Sequence, residues 1–141
     1  MDLEKEFRDT AHLINVTFRM VKEPKLLISI VSKLTAIANE LLDRYLHKAL
    51  ADKKINFVPS TIDAKIAIYN EKLISQGYDK EFIRIVKRLN ELNDFIKKGL
   101  LVSKEQSIIV YKDNTFSSEV VNISQVKDMI EILKNHYEKL K

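Results

Sequence analysis

The sequence predicts a mainly α fold, a bundle of four or five helices with one β-hairpin (about 107–121) placed before the last helix. Three observations carry that expectation. Only two Gly and two Pro occur in 141 residues, so few positions force the backbone to break. Apolar residues recur at steps of three and four over most of the length, the period of a helix that buries one face. From Ser107 to Val121 that period gives way to β-branched and aromatic residues around the turn formers Asp113 and Asn114. At 141 residues a single core is expected, hence one helical domain over 1–141.

The first helix is set by Leu3, Phe7, Ala11, Ile14, Phe18 and Val21, a near-heptad stripe. It should end near Lys22, because Pro24 disfavours helical backbone at Glu23 yet suits the first position of a new helix. The second helix, about Pro24 to Ala51, is apolar around more than half of its circumference. Such a helix is either central to a bundle or paired with a second chain. That surplus predicts a homodimer. Its narrow polar stripe is Ser29, Lys33, Glu40, Asp43, Arg44 and His47.

After the break at Asp52–Pro59, Ser60 or Thr61 caps a third helix that buries Ile62, Ile66, Tyr69 and Leu73 and stops at Gly77. Asp79 caps a fourth, with Phe82, Ile85, Val86, Leu89, Leu92 and Ile96 inward, up to Gly99. A lone hairpin is marginal in water, so the one at 107–121 must lean on the helices or pair with another copy. Ser124 then caps a last helix carrying Val126, Met129, Ile130, Leu133, Tyr137 and Leu140.

Composition narrows the chemistry. With 45% hydrophobic and 31% charged residues the chain can bury a core in water. The absence of Cys removes disulfides, thiolate nucleophiles and cysteine metal sites together. No Gly-rich phosphate loop and no Gly-x-Ser-x-Gly elbow occurs, so neither a nucleotide cofactor nor a covalent nucleophile is expected. The start Met1-Asp2-Leu3-Glu4-Lys5-Glu6 is charged, and no apolar run approaches the roughly 20 residues that span a bilayer. A cytoplasmic location without a membrane partner is the expectation.

Three constellations remain. Residues 80–104 hold seven cations (Lys80, Arg84, Lys87, Arg88, Lys97, Lys98, Lys104) against Glu81, Glu91 and Asp94, an excess equal to the formal charge of +4 of the whole chain. Lys80, Arg84, Lys87 and Arg88 share one side of the fourth helix, a geometry that can track a phosphate backbone, and the isoelectric point of about 9.2 agrees. A Lys-rich helix face is also an ordinary way to be solvated, and no aromatic residue interleaves with these cations. Arg8 with His12 and Arg44 with His47 form the second constellation. An antiparallel pairing of the first two helices would set them side by side, an acid–base kit for cleaving RNA, against the alternative of coincidence. In the third, Glu40, Asp43 and His47 lie one turn apart, but the matching motifs of a metal-binding bundle are absent, so solvated charges paired with Arg44 and Lys33 are expected and no metal. His136, at the edge of the last apolar stripe, reads as a packing residue.

Arg8-Asp9-Thr10-Ala11-His12 and Arg44-Tyr45-Leu46-His47 resemble in general shape the HEPN class of helical ribonucleases and antitoxin partners, in which an Arg precedes a His by four to six residues between long antiparallel helices. The spacing here is three and two intervening residues, so the shape is shared and the motif is not, and no catalytic residue transfers. The segment Thr17-Phe18-Arg19-Met20-Val21-Lys22-Glu23-Pro24-Lys25-Leu26-Leu27, followed by a long apolar helix, further helices and a late hairpin, resembles small archaeal helical proteins. That resemblance implies an archaeal origin and assigns no activity. The functional expectation is a non-catalytic binding module for RNA or a ribonucleoprotein, using the 80–104 cations. The alternatives are a small helical ribonuclease using Arg8, His12, Arg44 and His47, and a protein–protein adaptor without affinity for nucleic acid.

Overall fold

The computed structural model describes residues 1–21, 24–98, 101–104, 107–111 and 118–141. Helix α1 (Leu3–His12) starts on Asp2, whose carboxylate accepts the Lys5 N–H at 3.2 Å. The rod runs on through one π-helical turn, Leu13–Thr17, into α2 (Phe18–Val21). Leu3, Phe7, Ile14 and Phe18 are buried along it, as the stripe requires.

Helix α3 (Pro24–Ala51) is the hub, packed against α1, α4 (Ile62–Ile68), α5 (Lys80–Lys97) and α6 (Ile123–Leu140). Leu27, Ile30, Leu34, Ile37, Ala38, Leu41, Leu42, Leu46 and Ala49 are fully shielded. The apolar surplus that pointed to a homodimer is therefore consumed inside one chain, because four neighbours cover a helix that two could not. Truncating any of these leucines to Ala costs about 2–5 kcal/mol. The seam with α5 also carries polar groups that fix its register. The amides of Asn39 and Asn90 bond reciprocally at 3.2 and 2.8 Å. The buried Thr35 hydroxyl lies 2.8 Å from the Val31 carbonyl and 3.2 Å from that of Leu89.

Helix α4 begins on Thr61, and continues through a π turn (Tyr69–Leu73) and a 3-10 turn (Ile74–Gln76) to Gly77, whose φ of 92° only Gly adopts without strain. Between α5 and α6 the strands β1 (Leu101–Lys104), β2 (Ser107–Tyr111) and β3 (Ser118–Asn122) pair antiparallel in that order. The sequence anticipated two strands here; β1 is an addition, too short and too close to the cations of α5 to show a period of its own. Gly99, Asp113 and Asn114, the expected punctuation, lie outside the described residues. The cap of α6 also differs from expectation. Asn122 rather than Ser124 holds it, in a capping box with Gln125 (3.0 and 2.9 Å), because β3 runs straight into the helix. Among the described residues no helix is long and apolar enough to cross a membrane.

Candidate interaction surfaces

Helix α5 is amphipathic in the simplest way. Phe82, Ile83, Ile85, Val86, Leu89 and Leu92 turn inward and are buried, which leaves the opposite side to charge. Lys80, Arg84 and Lys87 are exposed on one row and Arg88 flanks it half-buried. Glu91 and Asp94 continue the same row before Lys98 closes it, with Lys97 exposed beside it. The uninterrupted positive face is thus the first two turns and not the whole of 80–104. Lys104 lies in β1, and its side chain is outside what the structure describes.

Two further cations and an aromatic ring gather at the same end of α5. Lys54 sits 4.9 Å over the ring of half-buried Tyr78 and 3.3 Å from its hydroxyl. Lys139 of α6 acts electrostatically on Asp79, the residue next to Lys80. This aromatic does not interleave with the cations of α5 in the sequence, because Tyr78 precedes Asp79 and its Lys54 partner lies 24 residues away in the chain.

What positions this end is a chain of hydrogen bonds through the core. Asp79 caps α5 through the Glu81 N–H at 3.0 Å, its carbonyl accepts the Tyr69 hydroxyl at 2.8 Å, and its second carboxylate oxygen lies 2.9 Å from His136 Nε2. His136 Nδ1 lies 2.6 Å from the Tyr45 hydroxyl. A carboxylate only accepts, so Nε2 carries the proton and donates to Asp79, leaving Nδ1 to accept from Tyr45. Asp79 and His136 together therefore tie α3, the α4 segment, α5 and α6 to one another. Burial holds His136 below the usual imidazole range, against the opposing pull of Asp79. Burial alone would raise Asp79, but the hydrogen bonds from Glu81 and His136 and the charge of Lys139 bring it below its ordinary value.

An Asp–His–Tyr chain has the connectivity of a nucleophile relay. Its electrostatics run the other way. Burial, with help from Asp79 and Tyr78, pushes the Tyr45 phenol up to about 12, and burial raises Tyr69 further. A raised pKa makes the phenolate harder to form, the reverse of one route by which a nucleophile is activated. The rings of Tyr69, Tyr78 and Phe82 enclose Tyr45 at 6.5, 6.1 and 5.1 Å between centroids. The network is a staple. The two bonds of His136 join residues 57 and 91 apart in sequence, so only the position of His136 at the edge of an apolar stripe could have signalled it.

The Arg/His pairs are not assembled. The chain does return antiparallel, since Arg44 Nη2 reaches the Met1 carbonyl at 3.1 Å, but Arg44 Nε is held by Glu40 at 3.2 Å. His47 bonds the Asp43 carbonyl at 2.9 Å, and the Asp43 carboxylate is occupied by Lys65 at 2.9 Å rather than by Lys33. Arg8 turns toward α6, and His12 is exposed. Among the described residues no hydrogen bond or ion pair joins the two pairs. The Glu40–Asp43–His47 line is spent in the same contacts.

A groove of about 510 Å³ lies between α1 and α6. Phe7, Ile14, Ile130 and Tyr137 contribute apolar surface to it, with the Phe7 and Tyr137 rings 5.4 Å apart. Arg8 lies on its α1 side, the one sequence-selected residue that the groove contains. No family model, no curated protein and no solved structure matches this chain. The reading of function rests on these surfaces.

Proposed function

We propose that the chain is a non-catalytic binding module that contacts RNA, free or within a ribonucleoprotein, through the first two turns of α5 and the cations beside them. The observation that carries this reading is the exposed row Lys80, Arg84, Lys87 next to the Lys54–Tyr78 pair and Lys139. Seven residues of helix place Lys80 and Lys87 about 10 Å apart, enough to meet successive phosphates. Tyr78 adds a ring to a surface that would otherwise read charge alone. The ribonuclease alternative lacks support, since Arg44 and His47 are bound to their own helix and to Met1. The reading places the protein in the cytoplasm and takes 107–121 as a β-hairpin that braces α3 and α5.

Fluorescence anisotropy with a labelled mixed-sequence RNA tests it. Arg84→Glu with Lys87→Glu should weaken binding at least about tenfold, because two attractions become repulsions. His12→Ala and His47→Ala should leave both affinity and RNA length unchanged. RNA shortening that disappears with the His substitutions would restore the ribonuclease reading; equal affinity in the charge-reversed protein would remove this one.

A further inference from the structure

The groove between α1 and α6 has a rim that is patterned where most of the surface is merely charged. Along α6 and onto its C-terminal cap the exposed residues Lys127, Glu131, Lys134, Glu138 and Lys141 follow at steps of four, three, four and three, and their signs alternate. Steps of four and three keep residues on one line of a helix, as in the flanking positions of a coiled coil. The π turn Leu13–Thr17, which supplies Ile14 and Asn15, breaks the regular winding of the facing helix at this groove.

We propose that this groove is the interface between two copies of the chain, related by a two-fold axis that passes α6 between Glu131 and Lys134. An alternating row is self-complementary under such an axis. Glu131 of each copy meets Lys134 of the other, Lys127 meets Glu138, and every pair occurs twice. Elsewhere a chain of net charge +4 repels its own copy, above all at the α5 end. Here three carboxylates, those of Glu4, Glu131 and Glu138, stand among four cations, so two copies meet at little cost. Lys141 Nζ lies 5.0 Å over the Tyr137 ring, and in the dimer the stems of the rim residues close over the groove that Phe7, Ile14, Ile130 and Tyr137 line. Glu138 already holds Lys141 at 3.5 Å within its own helix and shares its second oxygen across the axis. This interface replaces the one that the apolar character of α3 suggested, and it is independent of the RNA-binding reading.

Sedimentation equilibrium of the full chain from about 1 to about 100 µM tests the interface. The expected result is a dimer whose dissociation constant rises with salt. Glu131→Lys makes three consecutive rim positions cationic and should raise that constant about tenfold or more, since the altered pair occurs twice. Adding Lys134→Glu to it exchanges the two charges, recreates the pair across the axis and should bring the constant back. Both positions are exposed, and an unchanged circular dichroism spectrum separates lost association from lost folding. A monomer throughout the range overturns the proposal, as does a dimer indifferent to Glu131→Lys or not rescued by the exchange.

Discussion

Replacing Asp79 by Ala should be among the most damaging single changes outside the apolar core. Two separate losses add. The cap of α5 disappears with the bond to the Glu81 N–H (3.0 Å), which costs about 1 kcal/mol. The Nε2–H of His136, only 4% exposed, loses its acceptor at 2.9 Å, and an unpaired buried donor costs about 1–3 kcal/mol. The sum is about 3 kcal/mol, or a fall in Tm on the order of 10 °C for a domain of this size. Asp79→Asn separates the two terms, because Asn caps a helix nearly as well and its carbonyl can still accept from His136. It should lose about 1 kcal/mol. Acid should probe the same network. His136 is held below its ordinary pKa, so the unfolded chain takes up a proton first as pH falls. The stability it contributes is complete above about 6.5 and is lost on going down through its folded pKa. Asp79, also lowered, adds a loss in the same direction below its ordinary carboxylate range. Urea denaturation of wild type, Asp79→Ala and Asp79→Asn at pH 7.5 and pH 5 measures the first two, and wild type taken on to about pH 3 measures the loss from Asp79. Should Asp79→Ala lie within about 0.5 kcal/mol of wild type at pH 7.5, the stapling role of Asp79 is wrong.

Three further outcomes rest on Gly77, on Thr10 and on the Tyr45 and Tyr69 pair. Gly77→Ala should destabilise by about 1–2 kcal/mol through backbone strain alone, since φ is 92° and nothing lies within 4 Å of a Cβ placed there; thermal unfolding reads it. Thr10 is fully buried and its hydroxyl has no partner among the described residues, so Thr10→Val should stabilise by about 1 kcal/mol in the same assay. Tyr45 and Tyr69 should stay protonated when ordinary phenols ionise near pH 10, which ultraviolet titration of the native protein shows as delayed absorbance. Their contribution to stability is complete below pH 10 and is lost as pH rises past the raised folded values, about 12 for Tyr45, so unfolding at high alkalinity should release the missing signal.

Much of the helical layout was legible because its causes are local. Pro24, Thr61, Gly77 and Asp79 act on their own neighbours, and each ends or starts the element that its chemistry predicts. The inward faces of α1 and α5 were readable for a similar reason, as a three- or four-residue step maps directly onto one side of a helix. What failed was non-local. Whether the apolar wrap of α3 faced neighbours or a second chain depends on how many helices return to it, which periodicity does not count. The cap of α6 shifted to Asn122 because a strand delivers the chain to that point. The candidate site was legible as a row of charge on α5, but its limits were not. Glu91 and Asp94 fall on the same row, and Lys54, Tyr78 and Lys139 reach its end only through the fold.

The most direct test of the functional reading is the salt dependence of RNA binding, measured for wild type beside Arg84→Glu/Lys87→Glu. Each phosphate contact on a single strand contributes about 0.7 to the slope of log affinity against log salt. The account predicts a slope of about −2 or steeper for wild type, with a shallower slope, by about 1.4, in the double variant. No binding at low salt, or an unchanged slope in the variant, would contradict it and leave the positive face of α5 as a solvated surface.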